Sequence, residues 1–146
     1  MNQSPEGDRS DRPEGYEPLF RTSPFLDATG PYFYKKLDQG GFTVALKVLE
    51  KHTNASGTIH GGLVATLADV SLGYFTAMSQ TPPLRMMTTN LSIDFVGTAK
   101  VGEWVESHVS IVKVGNRLAF ANALITANEA PIASTTAVFL VIGQAA

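Results

Sequence analysis

The stretch from Gly61 to Ser79 constrains the fold more than any other part of the chain. It is a long run of Leu, Val, Ala, Met and Phe without proline, apolar nearly all round, and a helix of that composition has to be buried on most sides. The surrounding sequence must therefore supply a surface that curves around it. Phe42, Val44, Leu46 and Val48 fall on one parity and Thr43, Ala45 and Lys47 on the other, the period of a half-buried strand. After a stop at Pro82-Pro83, four β-branched or alternating stretches follow: Arg85 to Val96, Glu103 to Val114, Arg117 to Asn128 and Pro131 to Ile142. Gly115-Asn116 is a two-residue connection able to take positive φ and predicts a tight hairpin, and Asn128 to Pro131 predicts another reversal. Strand, long helix and four antiparallel strands make an α+β domain, a curved antiparallel sheet wrapped around a central helix.

The rest of the sequence narrows the class. At 146 residues there is material for one core, burying roughly two thirds of the unfolded surface. Cysteine is absent, which excludes disulfides, thiolate metal sites and a cysteine nucleophile. Residues 1 to 18 are polar, mixed in charge and rich in Pro and Gly, with no basic and apolar regions of a signal peptide; they are expected to form a disordered arm on a cytoplasmic protein, with residues 19 to 146 as the domain. A breaker pair, Gly40-Gly41, closes a short helical or irregular lead-in around Pro31 to Leu37. Leu63 to Met78 is shorter than the roughly 20 residues of a membrane span, so no membrane partner is expected. The net charge of −2 with scattered Lys and Arg argues against nucleic acid.

Between Lys51 and Arg85 the only formally charged side chain is Asp69, inside the apolar helix. A carboxylate in a low-dielectric setting is costly unless paired, and such settings move a carboxyl toward the range of a general base. The competing reading is that Asp69 bonds to Thr66 or a neighbouring chain and only fixes packing. Upstream, Asn54 to Gly62 form a polar, glycine-rich loop running into the helix N-terminus. The first-turn amides there have no intrahelical acceptor, so the Gly61 N–H is placed to meet a developing oxyanion, and glycine at 61 and 62 lets a substrate come close. Alternatively, Gly61-Gly62 is simply a tight turn and His60 a solvated or capping residue.

Taken together, NASGTIHGGLVATLAD (Asn54 to Asp69), TTNLSIDFVGTAKVGE (Thr88 to Glu103) and VGNRLAFANALIT (Val114 to Thr126) resemble the hot-dog acyl-CoA thioesterases of the phenylacetate-degradation type. The resemblance runs from about residue 40 to residue 142. It implies the hot-dog fold and hydrolysis of an acyl thioester to free acid and coenzyme A. Carried over residue by residue, it makes Asp69 the general base or nucleophile, Gly61 N–H and Asn54 the groups polarising the carbonyl, Thr88 the residue that positions water, and His60 a helper near sulfur. Gly62 belongs to the substrate-binding turn.

A thiol with a pKa near 8.5 leaves without a strong general acid, so one carboxylate and an oxyanion site suffice. No cofactor is expected beyond the coenzyme A of the substrate, and no metal, since the three histidines lack ligand spacing. Gly61 and Asp69 are eight residues apart, about 12 Å along a helix. One carbonyl cannot touch both in one chain, so a homodimer with antiparallel helices and shared sites is expected, with a dimer of dimers as a further level. Lys100, Lys113 and Arg117 lie near turns where they could meet coenzyme A phosphates, although solvated turn charge explains them better. His52 reads as a surface residue, and Phe75, Met78, Met86 and Met87 as either acyl pocket or core. Two rival functions fit the pattern less well: a dehydratase of 3-hydroxyacyl thioesters pairing His60 with Asp69, and a non-catalytic acyl-CoA binding module.

Overall fold

The computed structural model describes residues 12–145. In chain order it contains β1 (Glu17–Pro18), α1 (Pro24–Thr29), β2 (Phe33–Lys36), β3 (Phe42–Lys47), a 3-10 turn at Glu50–His52, α2 (Gly61–Met78), β4 (Leu84–Phe95), β5 (Trp104–Val114), β6 (Leu118–Ala127) and β7 (Ala130–Gln144). The strands form one sheet in the order β1-β2-β3-β5-β6-β7-β4, every neighbouring pair antiparallel. The sheet curves around α2, which is the hot-dog fold.

The sheet accommodates the helix because its middle is lined with small residues. On β6 the inward positions are Ala119, Ala121, Ala123, Ile125 and Ala127, all buried, so the strand forms a shallow trough. Leu63, Val64, Leu67, Ala68 and Leu72 of α2 pack there with Val44, Leu46, Val105 and Phe139. Each large side chain buried in this way contributes about 1.5–3 kcal/mol. By length and composition α2 could cross a membrane, but it packs one face on the sheet and is not buried on most sides as expected: seven of its 18 residues are buried and the others are partly accessible or exposed. One polar contact interrupts the apolar interface: the Ser71 hydroxyl of α2 lies 2.6 Å from that of Ser107 on β5, both buried.

The five predicted strands are present within a few residues of their expected bounds. The first of them is not half-buried, however. Thr43 and Ala45 are as inaccessible as their neighbours, because Tyr16, Phe33 and Trp104 cover the outer face of the sheet at Ala45. The expected arm of residues 1 to 18 therefore ends earlier than its composition implied. Tyr16 is 6% exposed, its ring stands edge-on to Trp104 at 5.0 Å, and its hydroxyl bonds to Glu106. Burial and that carboxylate both push the Tyr16 hydroxyl's pKa up. Residues 1–11 lie outside the described residues. The lead-in at Pro31 to Leu37 is neither helical nor irregular but contains β2, whose ladder to β3 runs from Phe33 opposite Ala45 to Lys36 opposite Phe42.

Both predicted reversals occur, by different means. Asn128 and Glu129 take φ of 44° and 74°, the two positive φ values of a tight hairpin turn. The β5–β6 turn uses no positive φ at Gly115 or Asn116. Val114 instead faces Ala119 across a four-residue connection, closed by the Gly115 N–H donating to the Leu118 carbonyl at 2.8 Å.

Candidate active site

Asp69 lies half-way along α2 and is not sealed in the core. It is partly accessible and stands on the wall of an open cleft of about 570 Å³. The Thr88 hydroxyl of β4 donates to Asp69 Oδ1 at 2.7 Å. Thr66, the partner of the structural reading, bonds instead to the Gly62 carbonyl. Thr88 reaches Asp69 because of a break in the β4 ladder. Thr88 pairs with Phe139 and Asn90 with Val138, leaving Thr89 as an extra residue. Such a bulge switches the parity of a strand and re-aims side chains. Leu91 and Ile93 face the core beyond it, and Met86 faces the core before it, which puts Thr88 on the helix side.

Three walls line the cleft. α2 contributes Val70, Gly73, Tyr74 and Ala77, and the sheet contributes Leu84, Arg85 and Met86 of β4 with Phe139 and Ile142 of β7. The third wall, Arg21 to Ser23 with Phe25 and Leu26, was not foreseen in the sequence. Its local order is readable in retrospect: Ser23 caps α1, its hydroxyl accepting from the Leu26 N–H at 3.2 Å, and Pro24 opens the helix, a favoured first-turn residue.

That wall is fastened from behind by His52, which is buried at 4% exposure rather than on the surface. Its Nδ1 accepts from the Leu49 N–H at 2.9 Å, and its Nε2 lies 2.7 Å from the Thr29 carbonyl. A carbonyl can only accept, so Nε2 carries the proton and the ring is the neutral tautomer. α1 covers His52 through a contact 23 residues away in sequence, which residue type could not announce.

The loop before α2 is self-organised. Asn54 Oδ1 accepts from the Ser56 and Thr58 N–H groups at 3.0 and 3.2 Å, an Asx turn, and Gly57 takes the positive φ of 77° that the turn requires. His60 is the N-cap, its Nδ1 accepting from the Gly62 N–H at 2.8 Å, so the capping reading of His60 holds. Gly62 leaves room for this cap: a Cβ there would lie 3.0 Å from His60 Nδ1, so the ring would have to shift. The Leu63 and Val64 N–H groups both donate to the His60 carbonyl. With those three amides engaged, Gly61 supplies the first-turn N–H left for an incoming acceptor.

The structure thus brings Asp69 and Thr88 together, and His60, Gly61 and Gly62 together, at two separate places about 12 Å apart along α2, with Asn54 in the loop leading to the second, bonded to Ser56 and Thr58. Lys100 joins the second group, bridging to Thr58. Lys113 and Arg117 lie at the β5–β6 turn, near the start of β4 through the pairing of Leu118 and Met87 with Leu140. The three cations do not form one patch within the chain. Met86 lines the Asp69 cleft, Phe75 and Met78 line a different cavity, and Met87 is exposed.

Residues 56–132 match the thioesterase superfamily model. The chain belongs to the thioesterase superfamily. It is a thioester hydrolase of that superfamily. A candidate esterase of Pseudomonas aeruginosa is 50% identical over 127 residues, covering 87% of this chain and 95% of that protein. Mouse acyl-coenzyme A thioesterase 13 is 38% identical over 81 residues, 56% of this chain and 57% of that one. Among solved structures, a hypothetical thioesterase from Streptococcus pneumoniae with coenzyme A superposes with a TM-score of 0.71 at 26% identity, covering 79% of this chain and 91% of that chain. The PaaI protein of the E. coli phenylacetic acid degradation operon superposes at 0.75 with 18% identity, covering 84% and 87%.

Proposed function

We propose that this superfamily member hydrolyses acyl-CoA thioesters, with Asp69 as general base or nucleophile. The observation that carries the reading is the 2.7 Å Thr88–Asp69 hydrogen bond on the wall of an open cleft. A carboxylate held by a hydroxyl beside solvent can take a proton from a water bound at that hydroxyl, or attack the carbonyl itself through an anhydride. Coenzyme A is a good leaving group as a thiolate, so the chain's own residues carry the reaction without a resident cofactor or metal. The Gly61 N–H, at the positive end of α2, stabilises the oxyanion, and Asn54 polarises the same carbonyl while shaping the loop that presents Gly61. The coenzyme A in the pneumococcal neighbour supports the choice of thiol.

The 12 Å between Gly61 and Asp69 requires two chains. β4 offers the surface for assembly: it is twelve residues long, it ends the sheet, and its ladder partner β7 lies on one side only. A two-fold axis across that edge would set Thr88 beside the seam and leave Asp69 of one protomer facing Gly61 and Asn54 of the other. The homodimer, a dimer of dimers beyond it, and a cytoplasmic location are parts of this proposal.

Initial rates of thiol release over short, long and aromatic acyl-CoAs test it. Asp69→Asn should lower kcat at least about 100-fold, the range of a lost general base, with the fold kept. Activity within tenfold of wild type in a pure sample refutes the assignment, and an enoyl thioester in place of free thiol transfers the protein to the dehydratases.

A further inference from the structure

The cleft that holds Asp69 has a neighbour. A second cavity of about 770 Å³, mostly apolar, is lined by Phe20, Tyr34, Phe42, Phe75 and Met78 among others. Asp69, Gly73 and Ala77, all lining the first cleft, follow one another at intervals of four and so lie along one face of α2. The floor of the catalytic cleft therefore leads from the carboxylate toward the C-terminal end of the helix. Phe75 and Met78, on the adjoining face, open into the second cavity.

Little separates the two spaces. Arg21 lines the first and Phe20 the second, so the chain itself runs between them. Where the segment meets α2, the Phe20 ring lies 5.6 Å from the ring of Tyr74, a residue of the catalytic cleft. Phe20 is held in place by edge-on contacts to Tyr34 at 5.1 Å and Phe42 at 5.3 Å, although it remains 42% exposed.

We propose that the Phe20–Tyr74 contact is the end wall of the acyl site and sets the length of acyl chain the enzyme accepts, the second cavity being the space a longer chain would enter if the wall were opened. This rests on the acyl-CoA reading above. A straight chain leaving the thioester carbonyl passes over Gly73 and stops against the two rings. Up to that length each methylene gains the burial of about one CH₂; past it the chain must bend out into water or push the rings apart.

The test is the profile of kcat/KM against chain length for straight-chain acyl-CoAs, by thiol release. In the wild type it should rise about fourfold per methylene, the factor corresponding to one buried CH₂, and then break. Phe20→Ala should move the break to chains at least two carbons longer, judged by the ratio of long to short substrate within each variant. Refilling the second cavity in Phe20→Ala/Met78→Trp should move it back. A folded Phe20→Ala with the wild-type break overturns the wall, and a double variant that keeps the extended profile overturns the route through the second cavity. If Phe20→Ala does not fold, Phe20→Leu puts the same question with a smaller expected shift, and an unmoved break refutes it equally. A wild type that releases no thiol from any acyl-CoA removes the acyl-CoA reading and this inference together; hydrolysis with an unmoved break removes only the inference.

Discussion

If each site is built from the loop end of one protomer and the Asp69 cleft of another, two dead variants should revive one another. Asn54→Ala removes the acceptor that holds the Ser56 and Thr58 amides and so disables the end of the site that presents Gly61. Asp69→Asn disables the other end, eight residues and about 12 Å along α2. Unfolded together in equal amounts and refolded, the two chains pair at random and half of the dimers are mixed. In a mixed dimer one composite site inherits both intact halves and the other both defects. One working site in two, in half of the dimers, gives about one quarter of wild-type activity if the sites act independently. The assay is thiol release per protomer, with each variant refolded alone as the baseline and mixed dimers counted by mass or tag. No recovery above the parents, with mixed dimers present, refutes the shared site, because it means that Asn54 and Asp69 serve the same carbonyl from one chain or that the loop end is not part of the site.

Other expectations follow from individual contacts. Thr88→Ala should lower kcat about tenfold, less than Asp69→Asn, since water is held less well but is still deprotonated; a dead Thr88→Ala beside an active Asp69→Asn in thiol-release assays would reverse the two roles. His52→Leu leaves the Leu49 N–H and the Thr29 carbonyl without their partner in a buried place, and at about 1–3 kcal/mol for each orphaned group the urea midpoint should fall by the equivalent of about 2–6 kcal/mol. A change below 0.5 kcal/mol would mean that water replaces the ring. Tyr16→Ala should uncover the chain's one tryptophan, Trp104, and shift its emission to the red; an unshifted spectrum would show that Phe33 alone shields the indole.

The parts of the fold that were legible are those whose signal is long and periodic. The position of α2 against the sheet follows from its composition, although only one face is buried, and the ladders β4 to β7 follow from alternation and from turns such as Asn128-Glu129. What was missed is short or depends on distant contacts. α1 has six residues, too few to show a helical period, and β2 has four. Tyr16 looked like part of a polar arm because nothing nearby in sequence reveals that Trp104 waits 88 residues on. At the site, Asp69 stood out as a lone charge, yet Thr88 came only from family resemblance. A strict alternation counted back from Ile93 and Leu91 would turn Thr89 and Met87 inward, and only the bulge at Thr89 presents Thr88 to the helix.

The buried Ser71–Ser107 pair bears on a problem that α2 creates for itself. Apolar burial has no preferred direction, and a rod greasy on nearly every side can be turned about its own axis at little loss, each residue's step moving the side chains by about 100°. Two hydroxyls 2.6 Å apart in a dry interface remove that freedom, since any other rotation would part them and strand the buried Ser107 hydroxyl. Ser71 also anchors to the Ala68 carbonyl in its own helix, so the pair indexes the rod like a key in a shaft. Asp69 sits two residues from that key, and its aim into the cleft is thereby set by a contact on the far side of the helix that touches no substrate.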